Sequence, residues 1–228
     1  MRLFTLTKAC TIAAILATTA GAAHADLVYS FADTSTFNGT PATNLSTVYA
    51  TATFSQVTNN IVKLVMETLS TIPAGYYVND WAFNFINGTS ISKIEHSTND
   101  VIASSYTLDP NHFKLNGGGD PLFDFGFSFS NASPGQLAAT KTSTYQISSI
   151  NPLSFNDFYS VSFNQNGSTT PAYFAGIHVQ GGGTSYAVAG EGRGGSQGTV
   201  PEPGSVALIG LGILGVALVR RRTRRIDG

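Results

Sequence analysis

The chain has 228 residues, 42% of them hydrophobic and 11% charged, with twelve Lys and Arg against thirteen Asp and Glu. Seven of the twelve cations sit near the two ends, whereas residues 26–200 hold five (Lys63, Lys93, Lys114, Lys141, Arg193) against eleven acids. An acidic middle without a basic patch argues against nucleic acid as a partner, and the stretch between the ends, roughly 160–175 residues, is long enough for one domain with its own core.

Residues 1–25 read as a secretory signal. Arg2 and Lys8 form a positive start, Ala9–Ala20 is apolar and small, and Ala23-His24-Ala25 supplies an A-x-A cleavage site ahead of Asp26. The competing reading is a buried N-terminal helix. The single cysteine, Cys10, lies inside this segment and lacks the residues of a lipobox before it. A mature chain starting at Asp26 therefore has no disulfide and must be stabilised by its core alone.

From Asp26 to residue 188 the dominant signal has period two. Trp81, Phe83 and Phe85 alternate with Ala82 and Asn84; Phe123, Phe125, Phe127 and Phe129 alternate with Asp124, Gly126 and Ser128. Tyr145/Ile147 and Ile177/Val179 repeat the pattern, as half-buried strands require. Turn signals separate these runs: Asn38-Gly39, Pro73-Ala74-Gly75, Asn87-Gly88, Asn116 to Asp120, Pro134-Gly135, Asn166-Gly167 and Gly181-Gly182-Gly183. Ile61–Leu69 is the best helical candidate and reads equally well as a strand. Ten to twelve short strands without an internal repeat point to an all-β fold, a single antiparallel β-sandwich or jelly-roll-like domain.

Residues 189–200 are rich in glycine and read as a flexible linker. Beyond them comes a three-part segment, residues 201–225. Glu202 stands between Pro201 and Pro203, and a residue before proline is pushed out of the helical region, so the tripeptide is extended. Gly204–Val219 is sixteen residues without a charge. As a helix it would be about 24 Å long, short of the ~30 Å hydrocarbon core unless arginines snorkel or the bilayer thins. Arg220, Arg221, Arg222, Arg224 and Arg225 follow as a stop-transfer cluster that holds the C-terminal side in the cytoplasm. A buried core helix, the competing reading, does not account for five arginines at its end. The fold is thus expected to be flanked by an N-terminal signal helix and a C-terminal transmembrane helix.

Together, Pro201-Glu202-Pro203, the apolar helix 204–219 and the arginine cluster strongly resemble the PEP-CTERM sorting signal of Gram-negative bacteria. The resemblance implies recognition by an exosortase, an integral-membrane cysteine protease-transpeptidase that removes the tail. It also implies an inner-membrane intermediate and delivery to the cell surface or the exopolysaccharide matrix of biofilm-forming bacteria. Phe123 to Phe127 and Ala175 to Gly181 are similar to stretches in some other PEP-CTERM passengers, and this likeness implies no activity.

The residues that could carry chemistry are few. His96, His112 and His178 have carboxylates nearby in Glu95 and Asp109 but lack the spacing of a zinc site, so no metal is assigned. No G-x-S-x-G elbow occurs, and Gly192-Arg193-Gly194-Gly195 lacks the Lys-Ser of a phosphate loop. Asn116 to Asp120 with Asp124 could form a calcium loop, but a glycine turn is the simpler reading. Trp81, Tyr76, Tyr77 and Tyr173 could give stacking faces to a carbohydrate, although core aromatics would produce the same composition. Phe155, Asp157 and Tyr159 read as an ordinary strand with two inward aromatics.

The sequence therefore predicts an exported, non-enzymatic protein of the cell surface or exopolysaccharide matrix, structural or adhesive, with no cofactor. A carbohydrate-binding module is the first alternative, exopolysaccharide being its candidate partner. A matrix polysaccharide hydrolase, which needs two close carboxylates in a cleft, is the second.

Overall fold

A computed structural model describes residues 26–41, 46–86, 88–116, 121–163 and 171–193. The signal segment with Ala23 and Ala25, the sorting tripeptide, the apolar segment 204–219 and the arginine cluster lie outside the described residues, as do Gly117–Asp120. No helix among the described residues is long and apolar enough to cross a membrane.

Twelve strands are present among the described residues. They are β1 (Leu27–Phe31), β2 (Thr36–Gly39), β3 (Ala50–Thr58), β4 (Ile61–Thr68), β5 (Tyr76–Phe83), β6 (Ile91–His96), β7 (Ser105–Phe113), β8 (Phe123–Ser128), β9 (Leu137–Ala138), β10 (Lys141–Ser149), β11 (Ala175–Gly181) and β12 (Thr184–Arg193). The all-β expectation holds, and the ambiguous Ile61 segment is a strand. The turn glycines act where a left-handed backbone is needed: Gly75 (φ 81°) enters β5, and Gly182 and Gly183 (φ 58° and 82°) close the β11–β12 hairpin.

The strands form one ladder in the order β6-β10-β4-β3-β1-β12-β11-β5-β8-β7, with β2 added to β12 and β9 to β5. Every pair is antiparallel. This corrects the sandwich or jelly roll expected from sequence: the sheet is continuous and curls into a half-barrel. The corner is β12. Its first part pairs β11 on one side and β2 on the other, and its last three residues, Glu191–Arg193, pair Ser30–Val28 of β1.

Two glycines explain how β12 turns that corner. A Cβ on Gly190 would lie 2.7 Å from the ring of Phe31, and one on Gly192 2.6 Å from the ring of Tyr29. Only a residue without a side chain lets the strand pass this close to the core rings. The same glycines suggested a linker from residue 189, and that boundary is corrected: Ala189–Arg193 belong to the strand.

Aromatic rings fill the concave side. Phe31 meets Trp81 edge-on at 5.4 Å, Phe54 meets Phe83 at 5.2 Å, and Phe54 stacks on Phe158 at 4.5 Å. Phe127 of β8 reaches Tyr145 of β10 at 4.4 Å, although these strands stand near opposite ends of the ladder. The sheet has therefore folded over until its ends nearly meet. The connection between β6 and β7 spans the remaining gap, with Val101 N–H donating to Thr142 and Ser104 N–H to Ser128. Both ends of the ladder are protected: β6 carries an exposed Lys93–Glu95 pair at 2.6 Å, and β7 loops out between Leu108 and Phe113 around Pro110. Such edges resist pairing with another chain.

The convex side of β5, β8 and β11 is also covered, by a second cluster of Ala82, Phe113, Leu115, Phe123 and Ala187 with Phe37 and Tyr173 against it. Phe123 therefore belongs to this outer cluster and not to the inner row of Phe125 and Phe127. Gly126 and Gly176 are its sockets: a Cβ on Gly126 would fall 2.2 Å from the Phe113 ring, and one on Gly176 2.7 Å from Leu115. Gly126→Ala is expected to destabilise the domain by about 1–3 kcal/mol through overpacking. Thermal melts of Gly126→Ala, Phe113→Leu and the double variant test this, because the smaller side chain should recover part of the loss.

Candidate functional site

Asn84, at the end of β5, is buried at 1% exposure and donates from Nδ2 to the carbonyls of Tyr173 and Phe174, 3.0 Å each. Ser162 completes the clamp. Its backbone N–H donates to Tyr173 O at 2.8 Å, and its Oγ accepts from Tyr173 N at 2.9 Å. The dipeptide Tyr173-Phe174, which leads into β11 beside β12, is thereby held in place. Tyr173 stacks on Phe37 at 4.6 Å and Phe174 stacks on Tyr159 at 4.4 Å. Burial raises the Tyr173 hydroxyl above its ordinary pKa.

Tyr173 and Phe174 wall an open groove of about 500 Å³ whose lining also includes Ser35, Thr36, Glu191 and Gly192. The volume lies within the range of small-molecule sites, roughly 300–1,000 Å³. Ser35 Oγ donates to Glu191 Oε1 at 3.2 Å, so the groove offers a carboxylate beside two hydroxyls and two aromatic side chains, Tyr173 and Phe174. No basic side chain is found among its described lining residues.

A second groove, about 480 Å³, lies between residues 99–102 and residues 134–142. Its carboxylate, Asp100, is already engaged: Oδ1 stands 2.6 Å from His96 Nε2, and Oδ2 accepts from Thr144 Oγ1 at 2.8 Å. Burial opposes the Asp100 charge, but hydrogen bonds from Thr98, Thr144 and His96 outweigh it and hold the carboxyl below the usual range. His96 also packs edge-on to Tyr145, at 5.3 Å. Its sequence neighbour Glu95 turns away to Lys93.

The remaining sequence candidates are dispersed. His112 is exposed on the β7 loop, with Nδ1 2.7 Å from Pro110 O and 3.2 Å from Asp109. His178 is buried against Asp80 of the adjacent strand, Nδ1 to Oδ2 3.3 Å. Asp124 accepts from Phe85 N and Asn111 N, one on each oxygen at 2.9 Å. It clamps two backbone segments and is a poor cation ligand. Among the described residues no three His, Cys, Asp or Glu gather as a metal site would require.

Two aromatic readings change. Trp81, offered above as a stacking face, is fully buried against Phe31 and Phe83. Phe155, Asp157 and Tyr159 do not form a strand with two inward aromatics. Phe155–Phe158 is a 3-10 turn, capped by Ser154 Oγ and the Asp157 carboxylate, and it leaves Tyr159 exposed. Tyr76 and Tyr77 are half-buried and bonded to Thr184 and Gln180, whereas Tyr173 does reach a groove. Glu191 and Asn84 were not singled out by sequence. Glu191 sat among glycines that suggested a linker, and the alternation around Asn84 placed it on a solvent face.

A PEP-CTERM protein-sorting motif matches residues 199–222 of the chain. It includes Pro201, Glu202, Pro203 and the first three arginines of the cluster. No curated protein and no solved structure matches the chain.

Proposed function

From the premise that this is a PEP-CTERM sorting domain-containing protein, we propose that its β domain is a structural or adhesive component of the cell surface or exopolysaccharide matrix. The motif supports export and exosortase-targeted sorting, and it is the observation that carries the reading. In this route the chain pauses in the inner membrane, with Arg220–Arg225 on the cytoplasmic side. Pro201-Glu202-Pro203 is then presented to the exosortase at the outer boundary.

The role we propose is non-enzymatic. In support, the His96–Asp100 and Asp80–His178 pairs are held within the fold, and among the described residues each of the two grooves is lined by one carboxylate, where a glycoside hydrolase uses two. Adhesion through a face of the domain also agrees with the protected edges of β6 and β7.

Mass spectrometry of the C-terminus of the exported protein tests the route. In a strain with an active exosortase, the mature chain is expected to lack Arg220–Arg225, and deleting the exosortase should restore them. Recovery of the arginines on surface-located protein from the active strain would overturn cleavage and leave a plain anchor.

A further inference from the structure

We propose that the groove walled by Tyr173 and Phe174 and flanked by Tyr159 binds a neutral saccharide. The proposal rests on the reading of the domain as an extracellular adhesive module, and it names the surface that adheres. A pyranose ring has a flat C–H face and a rim of hydroxyl groups, so its receptor needs exposed aromatic planes next to hydrogen-bond acceptors and hydroxyls.

The groove holds both. Tyr159 remains 45% exposed even with its ring stacked on Phe174. Glu191 and the Ser35 and Thr36 hydroxyls are the polar partners. A carboxylate accepts hydrogen bonds from sugar hydroxyls, and such charge-assisted bonds are the strong ones.

Charge and position select the ligand class. An anionic polymer would meet Glu191 in a domain where acids outnumber Lys and Arg, eleven to five over residues 26–200. An extended peptide would add to a free strand edge; the ladder ends at β6 and β7, away from the groove, and β2, whose Thr36 lines it, is an edge of only four residues. The Asn84 and Ser162 bonds to the Tyr173-Phe174 backbone fix the aromatic wall before any ligand arrives. Pre-ordering of this kind lowers the cost of binding.

Affinity electrophoresis of the processed protein recovered after export tests the proposal, in gels containing hydroxyethyl cellulose, dextran or galactomannan, with acidic alginate for comparison. Retardation by at least one neutral polymer and not by alginate is expected. Tyr159→Ala and Glu191→Gln, both at exposed positions, should each weaken that retardation about tenfold. Circular dichroism of each variant establishes that its fold is intact.

Free migration in all three neutral gels would overturn the proposal, as would equal retardation of folded variants and parent. A concentration-dependent dimer abolished by Tyr159→Ala, without retardation, would make the groove a self-association face and also overturn it. Surface location is scored separately in the same strain. A correctly sorted protein that binds no polymer refutes the groove alone, and a missorted one that binds refutes only the destination.

Discussion

Phe83→Ala is expected to destabilise the domain by about 3–5 kcal/mol, the cost of deleting a large buried aromatic side chain. Phe83 is fully buried, and its ring lies within 6.4 Å of the rings of Tyr29, Phe54, Trp81 and Phe125. These neighbours come from β1, β3, β5 and β8, so the cavity would open where the two halves of the curled sheet meet. With total stability on the order of 5–15 kcal/mol, such a loss removes a large part of it. No disulfide could compensate, because the only cysteine is Cys10. The melting temperature should fall by roughly 6–20 °C for a domain of this size. Ile150→Ala, at an exposed position, is the control and should cost no more than about 0.5 kcal/mol. A Phe83→Ala melt within about 2 °C of the parent would refute the assignment of Phe83 to the centre of the core.

The second large effect is alkaline unfolding. Tyr29, Tyr49 and Tyr186 are buried to 2% exposure or less. Burial raises all three hydroxyls well above the ordinary tyrosine value, and the Asp33 carboxylate beside Tyr49 and Tyr186 raises those two further. Tyr29 also donates a hydrogen bond to Phe158 O at 2.7 Å. A group whose pKa is raised by folding contributes stability that is complete below its unfolded pKa and is lost as pH rises toward the folded one. The window therefore opens near pH 10. Each tyrosine that ionises only in the unfolded chain contributes about 1.4 kcal/mol per pH unit, and the three together about 4.

Cooperative unfolding is thus expected between about pH 11 and 13. Tyrosinate absorbance should rise in two stages: exposed tyrosines first, then the buried ones together with loss of the circular dichroism signal. In Tyr49→Phe the ring is kept and the ionisation removed, so the slope of stability against pH should fall by about a third. A single smooth titration near pH 10 with the fold intact would refute the burial of these hydroxyls.

Much of the fold was legible because strand alternation is a local property. The rows around Trp81, Phe125, Tyr145 and Ile177 identify strands from neighbouring residues alone. What could not be read was how many faces were covered. Asn84, Asp80 and His178 occupy positions that alternation assigns to solvent, yet the outer cluster around Phe113 and Phe123 buries them. That cluster forms from segments distant in sequence. Trp81 stayed open between a core ring and a stacking face, because an aromatic in a strand has one composition whether it meets a core or a ligand; the structure puts it in the inner core.

Glycine was the other source of error. Gly190 and Gly192 looked like flexibility, and they serve as the narrow passage by which β12 joins the two halves of the sheet. The groove inherits that difficulty, since Glu191 stands between them. Tyr173 was identified as a stacking candidate, but its pairing with Phe37 and the approach of Phe174 to Tyr159 depend on long-range packing.

By itself the sequence determined the sorting signal of this protein and its strand-rich class. The sorting motif is a contiguous signal read along the chain, and strand periodicity repeats every two residues. Only the tertiary structure decided that the strands form one curled sheet, which glycines are sockets, and which aromatics face solvent. Each of those outcomes depends on contacts between residues far apart in the chain, where size, shape and cover decide burial and local pattern carries no record of the partner.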